Sequence, residues 1–315
     1  MRRLKKTVSV AVALLLILSA VFCFTACSGE QSITFFALDT VIGIRILEGG
    51  SQQLLNALQA EIMRLDKIFD RFDGELYRIN SQGGGEASVE LCSALEAALA
   101  LCEQTEGAFD ITVGAVSSLW DFKAGRLPTS EQLLEAVKKV DYKRVKVEDG
   151  IISLNGAQID LGGFAKGYIC DLAAEYLKNN RVTEAILDLG GNIYVIGDKG
   201  GRGYNIGIAD PNGGDPVHSV NISSCAAVTS GIYQRNFELD GKKYHHILDP
   251  ESGMPVQNEL ASVTVICQSA ARADALSTAM MVLGKEDASR LAKLLDVTAI
   301  FIGKDGSVTS TKDGI

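Results

Sequence analysis

From Thr34 the chain is β-rich to Leu47, and Val41-Ile42-Gly43-Ile44-Arg45-Ile46 places an apolar residue at every second position, the period of a strand with one buried face. The period then lengthens. Apolar residues recur three and four apart from Leu54 to Phe69, which predicts an amphipathic helix. Asp70 to Asn80 reads as a turn and a short polar helix, Ser81 to Glu86 as a glycine-rich loop, and the alanine- and leucine-rich Ser88 to Glu103 as a further helix closed near Gly107. Pro128-Thr129-Ser130 opens another helix to about Val140, with Ser130 as its N-cap. Val145–Val147 and Ile151–Leu154 are short strands about Asp149-Gly150. Ile159-Asp160 is a strand that runs into Gly162-Gly163 and a helix from about Ala165 to Asn180. Strands follow at Ala185–Leu189, Tyr204–Ala209, Ser219–Ser224 and Ala226–Thr229, and Asn236 to Tyr244 is a hairpin about Asp240-Gly241. A strand at Val263–Cys267, helices at Ala270–Leu283 and Ala288–Leu295, and a hairpin about Asp305-Gly306 close the chain. Helices and strands mix without a strict βαβ rhythm. That argues for an α+β fold with a largely antiparallel sheet.

The first residues follow a different logic. Arg2, Arg3, Lys5 and Lys6 precede an almost wholly apolar run, Val8 to Phe24, and then Thr25-Ala26-Cys27. This resembles a bacterial lipoprotein signal, in which the cysteine after a small residue is lipidated and becomes the new N-terminus; the alternative is an uncleaved anchor. The expected organisation is a signal peptide over 1–26, lipidation at Cys27, a tether over 27–33 and a folded domain over 34–315, outside the cytoplasm and held to the membrane by lipid. The formal net charge is −9, and loss of the four basic residues of the signal makes the mature chain more acidic still. Nucleic acid, which needs a basic footprint, is therefore not an expected partner. Cys92, Cys102, Cys170, Cys225 and Cys267 show no C-x-x-C spacing, and the first three read as small buried hydrophobes.

Three places carry candidate chemistry. Asp274 and Thr278, four apart, share one face of a helix of small residues. A carboxylate and a hydroxyl are hard oxygen ligands suited to Mg²⁺ and phosphate, although Asp274 could equally complement a helix dipole with Ser269 as the cap. The glycine pair before Ala165 could offer backbone amides to an anion, with Lys166 as a point charge, or could simply make a tight turn. His245 and His246 are neighbours in a β-like stretch, so one faces a site and the other solvent; a histidine there can act as general base or can brace the Asp249-Pro250 turn.

Eight motifs in order sharpen these alternatives: ALDT (37–40), LYRIN (76–80), TEGAFDITVG (105–114), IDLGGFAKGYICD (159–171), DLGGN (188–192), VTSGIY (228–233), HHILDPESGMPV (245–256) and ADALSTA (273–279). Together they resemble the ApbE family of FAD:protein FMN transferases. The resemblance implies an ApbE-like fold of two intimately packed subdomains, and an Mg²⁺-dependent enzyme that splits FAD, moves FMN to a threonine or serine of a redox protein and releases AMP. It puts the metal on Asp274, Thr278 and the carbonyl of Ala165. Flavin and adenine would lie near Leu38, Ala108, Phe109, Asp110, Gly162, Lys166, Tyr168 and Leu248, and His246 would be the base. Leu38-Asp39-Thr40 stands where Met-Gly-Thr is common. The implied acceptors are a subunit of a membrane ion-pumping oxidoreductase (Rnf/Nqr type) or an extracellular FMN-binding electron-transfer protein. Two rivals remain: FAD hydrolysis to FMN and AMP by the same residues, and a surface lipoprotein that binds flavin without turnover.

Overall fold

The computed structural model describes residues 29–312; the signal segment and Cys27 lie outside them. Eight strands form the central sheet. In chain order they are β1 (Gln31–Ala37), β2 (Thr40–Glu48), β6 (Glu184–Leu189), β7 (Asn192–Ile196), β10 (Ala226–Gly231), β13 (Leu260–Cys267), β14 (Thr298–Gly303) and β15 (Val308–Ser310), which is also their spatial order. Every neighbouring pair is antiparallel, as the absence of a βαβ rhythm predicts. Smaller pieces flank the sheet: β3 (Gly84–Glu86) with β5 (Ile151–Ser153) and β4 (Lys146–Glu148), β8 (Tyr204–Ile208) with β9 (His218–Ile222), and β11 (Asn236–Leu239) with β12 (Lys242–His245).

The helices are α1 (Gln52–Phe69), α2 (Glu75–Gln82), α3 (Val89–Gln104), the single turn α4 (Gly114–Ser117), α5 (Ser130–Val137), α6 (Ala165–Asn179), α7 (Ala270–Leu283) and α8 (Lys285–Leu294). The sheet's inner face packs beneath α1, α6 and α7. Ile42, Ile44 and Ile46 of β2, spaced two apart, are fully covered there with Leu55, Leu58 and Ile62 of α1. Most of α7 is buried, Asp274 and Ser277 included, so this helix is core on nearly all sides rather than amphipathic. It lies close to α6 because Gly167 has no side chain: a Cβ there would run into the carbonyl of Ala270. On the outer face the β8–β9 hairpin covers Val195, Ala227, Ile300 and Ile302. Trp120, Val116, Leu133 and Leu248 form a third apolar cluster.

Four expectations are corrected. The expected tether over 27–33 contains the start of β1 at Gln31, and the β-rich region 34–47 is a hairpin of β1 and β2. Its turn, Leu38-Asp39, has both residues at positive φ (55° and 58°), the conformation of a two-residue hairpin, and Asp66 Oδ2 accepts the Leu38 N–H at 3.0 Å. The glycine-rich loop contains strand β3, which local pattern could not show because its partner β5 is remote in sequence. The N-cap of α5 is Thr129, not Ser130: Thr129 and Gln132 make a reciprocal capping box. Ile159-Asp160 is not a strand. Its backbone is held instead by Asn80, whose amide accepts from Ile159 N–H at 2.7 Å and donates to Ile159 C=O at 2.9 Å, and by the Asp160 N–H bond to Ile111 C=O.

Candidate active site

Asp274 and Thr278 lie on the side of α7 that faces the start of α6. The turn before α6 lies against them. Gly163 is so close that a Cβ there would sit 2.9 Å from Thr278 Oγ1, and the Gly167 N–H donates to Asp274 Oδ2 at 3.0 Å. Ala165 lies between these two contacts, so the three expected metal residues share one corner. Lys166 Nζ approaches Asp274 Oδ2 at 3.9 Å and donates to the Gly162 carbonyl at 3.3 Å.

The helix-dipole role is filled by a residue that pattern reasoning missed. Ser269 caps α7 by accepting the Arg272 N–H. Asp171, on α6, accepts from Ser269 Oγ and from the N–H groups of Ala270 and Ala271 at 2.6–3.0 Å. The α7 N-terminus is thus saturated without Asp274, which sits one turn further on. Asp274 is 3% exposed, and among the described residues its Oδ1 accepts no hydrogen bond. That oxygen is free of chain donors and still reachable, so a hard cation can bind it there. With a threonine hydroxyl and a backbone carbonyl nearby, the donor set is hard oxygen and holds only one charge, which suits Mg²⁺ that keeps water and phosphate ligands. No group of three or more His, Cys, Asp or Glu is placed to hold a metal among the described residues, so a zinc-type cage is not what this corner offers.

His246 is half-buried, with its N–H bonded to the Arg235 carbonyl at 3.0 Å and its Nδ1 buried without a partner. Burial first, then the charges of Arg235 and Lys166, push its pKa down to about 4. The imidazole is neutral at physiological pH. His245 does not face solvent as expected. It is 2% exposed, its Nε2 pairs with the Val256 carbonyl at 3.1 Å, and burial takes it to about 4 as well.

The expected flavin residues divide. Phe109 lies beside Gly163, and Ala108 next to it is half-buried. Tyr168 stacks on Phe164 and meets Phe69 edge-on. The N–H of Gly162 is bound by Asp160 Oδ1 at 2.9 Å, and Asp160 Oδ2 in turn takes Ser117 Oγ and an ion pair from Arg71. Leu38 is held at the hairpin tip, where Arg235 reaches Asp39 at 3.6 Å. Two residues are not brought to the corner by their side chains. Asp110 spends its carboxylate on Thr112 and on the Tyr142 N–H, and Leu248 packs into the Trp120 cluster.

A family model described as the ApbE family matches residues 38–301. The chain is 34% identical over 286 residues to the FAD:protein FMN transferase of Treponema pallidum, across 82% of this chain and 78% of that protein. It is 31% identical over 270 residues to the protein of the same name from Klebsiella pneumoniae, across 80% and 84%. Among solved structures it is similar to an ApbE protein from Thermotoga maritima, with a TM-score of 0.83 and 33% identity over 90% of this chain and 97% of that one. It is also similar to the apo form of the Pseudomonas stutzeri flavinyl transferase ApbE, with a TM-score of 0.80 and 29% identity over 90% and 95%.

Proposed function

The chain belongs to the ApbE family, and on that footing we propose that it transfers FMN from FAD to a hydroxyl of a redox protein in a reaction that depends on Mg²⁺. The observation that carries this reading is the free oxygen of Asp274, set beside Thr278 and Lys166. Asp274, Thr278 and the Ala165 carbonyl would hold the ion, which supplies charge neutralisation at two adjacent phosphates and at the departing one.

The chain's own groups do the rest. Gly163 lets the turn before α6 pack close against Thr278, and the start of α6 favours an anion beside it. Lys166 adds a positive charge beside the pyrophosphate. The acceptor threonine or serine oxygen forms a bond to the FMN phosphorus as the P–O bond to AMP breaks, and the hydroxyl proton passes to His246. Burial of His246 keeps it deprotonated before the acceptor arrives, and the negative phosphates raise its basicity once they are bound.

A subunit of a membrane ion-pumping oxidoreductase or an extracellular flavin electron-transfer protein would be the acceptor. The basic residues before Val8, the apolar run and Cys27 support lipid attachment outside the cytoplasm. With β1 beginning at Gln31, the tether after Cys27 is very short. Radiolabelled palmitate incorporation that disappears in Cys27→Ala tests the anchor.

The test of activity is incubation with FAD, Mg²⁺ and a candidate acceptor, followed by the intact mass of the acceptor and assay of AMP. Acceptor carrying one FMN, with equal AMP, is expected. AMP without modified acceptor would mean hydrolysis, and tight FAD binding with no AMP would mean a carrier.

A further inference from the structure

The VTSG segment ends β10, under α7, and its Ser230 has no part in the reaction described above. Ser230 Oγ lies 2.8 Å from Ser277 Oγ and 3.2 Å from Thr278 Oγ1. Ser277 Oγ in turn lies 2.9 Å from the Asp274 backbone carbonyl. A hydroxyl has one proton to give and two lone pairs to accept with, whereas a carbonyl can only accept. The direction of the whole chain then follows from its fixed end. Ser277 must donate to the Asp274 carbonyl. Its proton is spent, so Ser230 must donate to Ser277. The proton of Ser230 is spent in turn, so Thr278 must donate to Ser230.

We propose that Ser230 and Ser277 are positioning residues that make Thr278 a cation ligand, by drawing its hydroxyl proton into the core and leaving its lone pairs for the metal. This deepens the reading of the Asp274–Thr278 corner as an Mg²⁺ site and rests on it. Asp274 serves at both ends: its carboxylate is one ligand, and its backbone carbonyl sets the polarity that prepares the other. Ser277 is fully buried, so no water competes for its proton, and the direction is fixed before any ion arrives. Partners of this kind around a metal ligand change affinity by about 10- to 100-fold.

The test is a titration of the full-length mature protein with Mn²⁺, followed by the electron paramagnetic resonance signal of free Mn²⁺, alone and with ADP as a pyrophosphate that carries no flavin. Ser230→Ala and Ser277→Ala are each expected to weaken binding about 10-fold, with thermal unfolding in chelator showing that both variants fold. Ser277→Ala is the stricter variant, because that side chain is one hydroxyl removed from the ligand and acts only through the direction of the chain. If wild type binds Mn²⁺ and the two variants bind it equally well, the hydroxyl chain does not prepare Thr278. If only Ser230→Ala weakens binding, Ser230 acts by contact and the directional argument fails. If wild type binds no Mn²⁺ in either condition, the metal reading of the corner fails first.

Discussion

Asp110, in the loop after α3, and Asp274, in the second turn of α7, are both buried, at 7% and 3% exposure, yet their surroundings differ in kind. The Asp110 carboxylate accepts the N–H and hydroxyl of Thr112 and the N–H of Tyr142, at 2.6–3.0 Å. Its lone pairs are used within the chain, and it ties the 105–114 segment to the residues before β4. Asp274 accepts one backbone N–H and stands 3.9 Å from a lysine. A saturated carboxylate is a structural joint, whereas one with a free, reachable oxygen can take a cation. Asp171 confirms the rule from the other side. It is half-buried and takes three donors from the α7 N-terminus, and these hold that helix.

The contrast breaks most decisively at the open carboxylate. Asp274→Asn keeps the shape and an acceptor for Gly167 but removes the charge, and it should lower AMP release on the order of a thousandfold, the several kcal/mol that a phosphate-bound cation supplies. Its melting temperature should change little. An active Asp274→Asn enzyme would leave the corner without a purpose. His246→Ala should follow with a loss of about a hundredfold in transfer to an acceptor hydroxyl, measured by acceptor mass. Undiminished transfer would move the base elsewhere. The joint should respond the opposite way. Asp110→Ala orphans three donors, so its cost should appear in urea unfolding as about 2–4 kcal/mol, with cation affinity retained in the folded fraction. A stable Asp110→Ala that no longer binds Mn²⁺ would overturn the division between the two aspartates.

How far the sequence could anticipate this division depends on the distance between partners. The Asp274–Thr278 pair and α7 were legible because i and i+4 share a helix face whatever surrounds them. The strand periods also predicted most of the sheet. What decided between metal ligand and helix cap was Asp171, a hundred residues upstream, and no local pattern joins it to Ser269. The same holds for β3, visible only through β5, and for Asn80, whose clamp on Ile159 replaces a strand. Asp110 shows the reverse case. It sits in a motif that pointed to the flavin, but its side chain turns toward Thr112, two residues away, and toward Tyr142. Strand alternation lets one histidine of the pair face a site and the other solvent; the Val256 carbonyl and the packing around it give His245 a second interior instead.

That second interior has a pH signature. A histidine whose pKa is about 4 folded and near 6.5 unfolded binds more protons when unfolded, so stability rises with pH across that window and is lost on acidification through it. His245 alone should cost about 2 kcal/mol between pH 7 and pH 5, and His246 should add a similar slope. Urea titrations at the two pH values measure it, and His245→Asn should remove about half of the combined drop. A pH-independent wild type would mean that the pocket admits the charged imidazole.

The smallest effect tests the same principle where no function is at stake. Thr129 and Ser130 are adjacent residues that both cap helices well, and the sequence pattern points to Ser130. In the fold Thr129 accepts the Gln132 N–H at 3.2 Å while the Gln132 side chain accepts the Thr129 N–H at 2.8 Å; Ser130 is the first helical residue and caps nothing. Thr129→Ala should therefore cost about 1 kcal/mol and Ser130→Ala well under half of that. Equal losses would mean that a saturated local bond is a poor guide to what a polar residue does here. That result would weaken the assignment of Asp110 and Asp171 to structure, since the same count of satisfied donors separates them from Asp274.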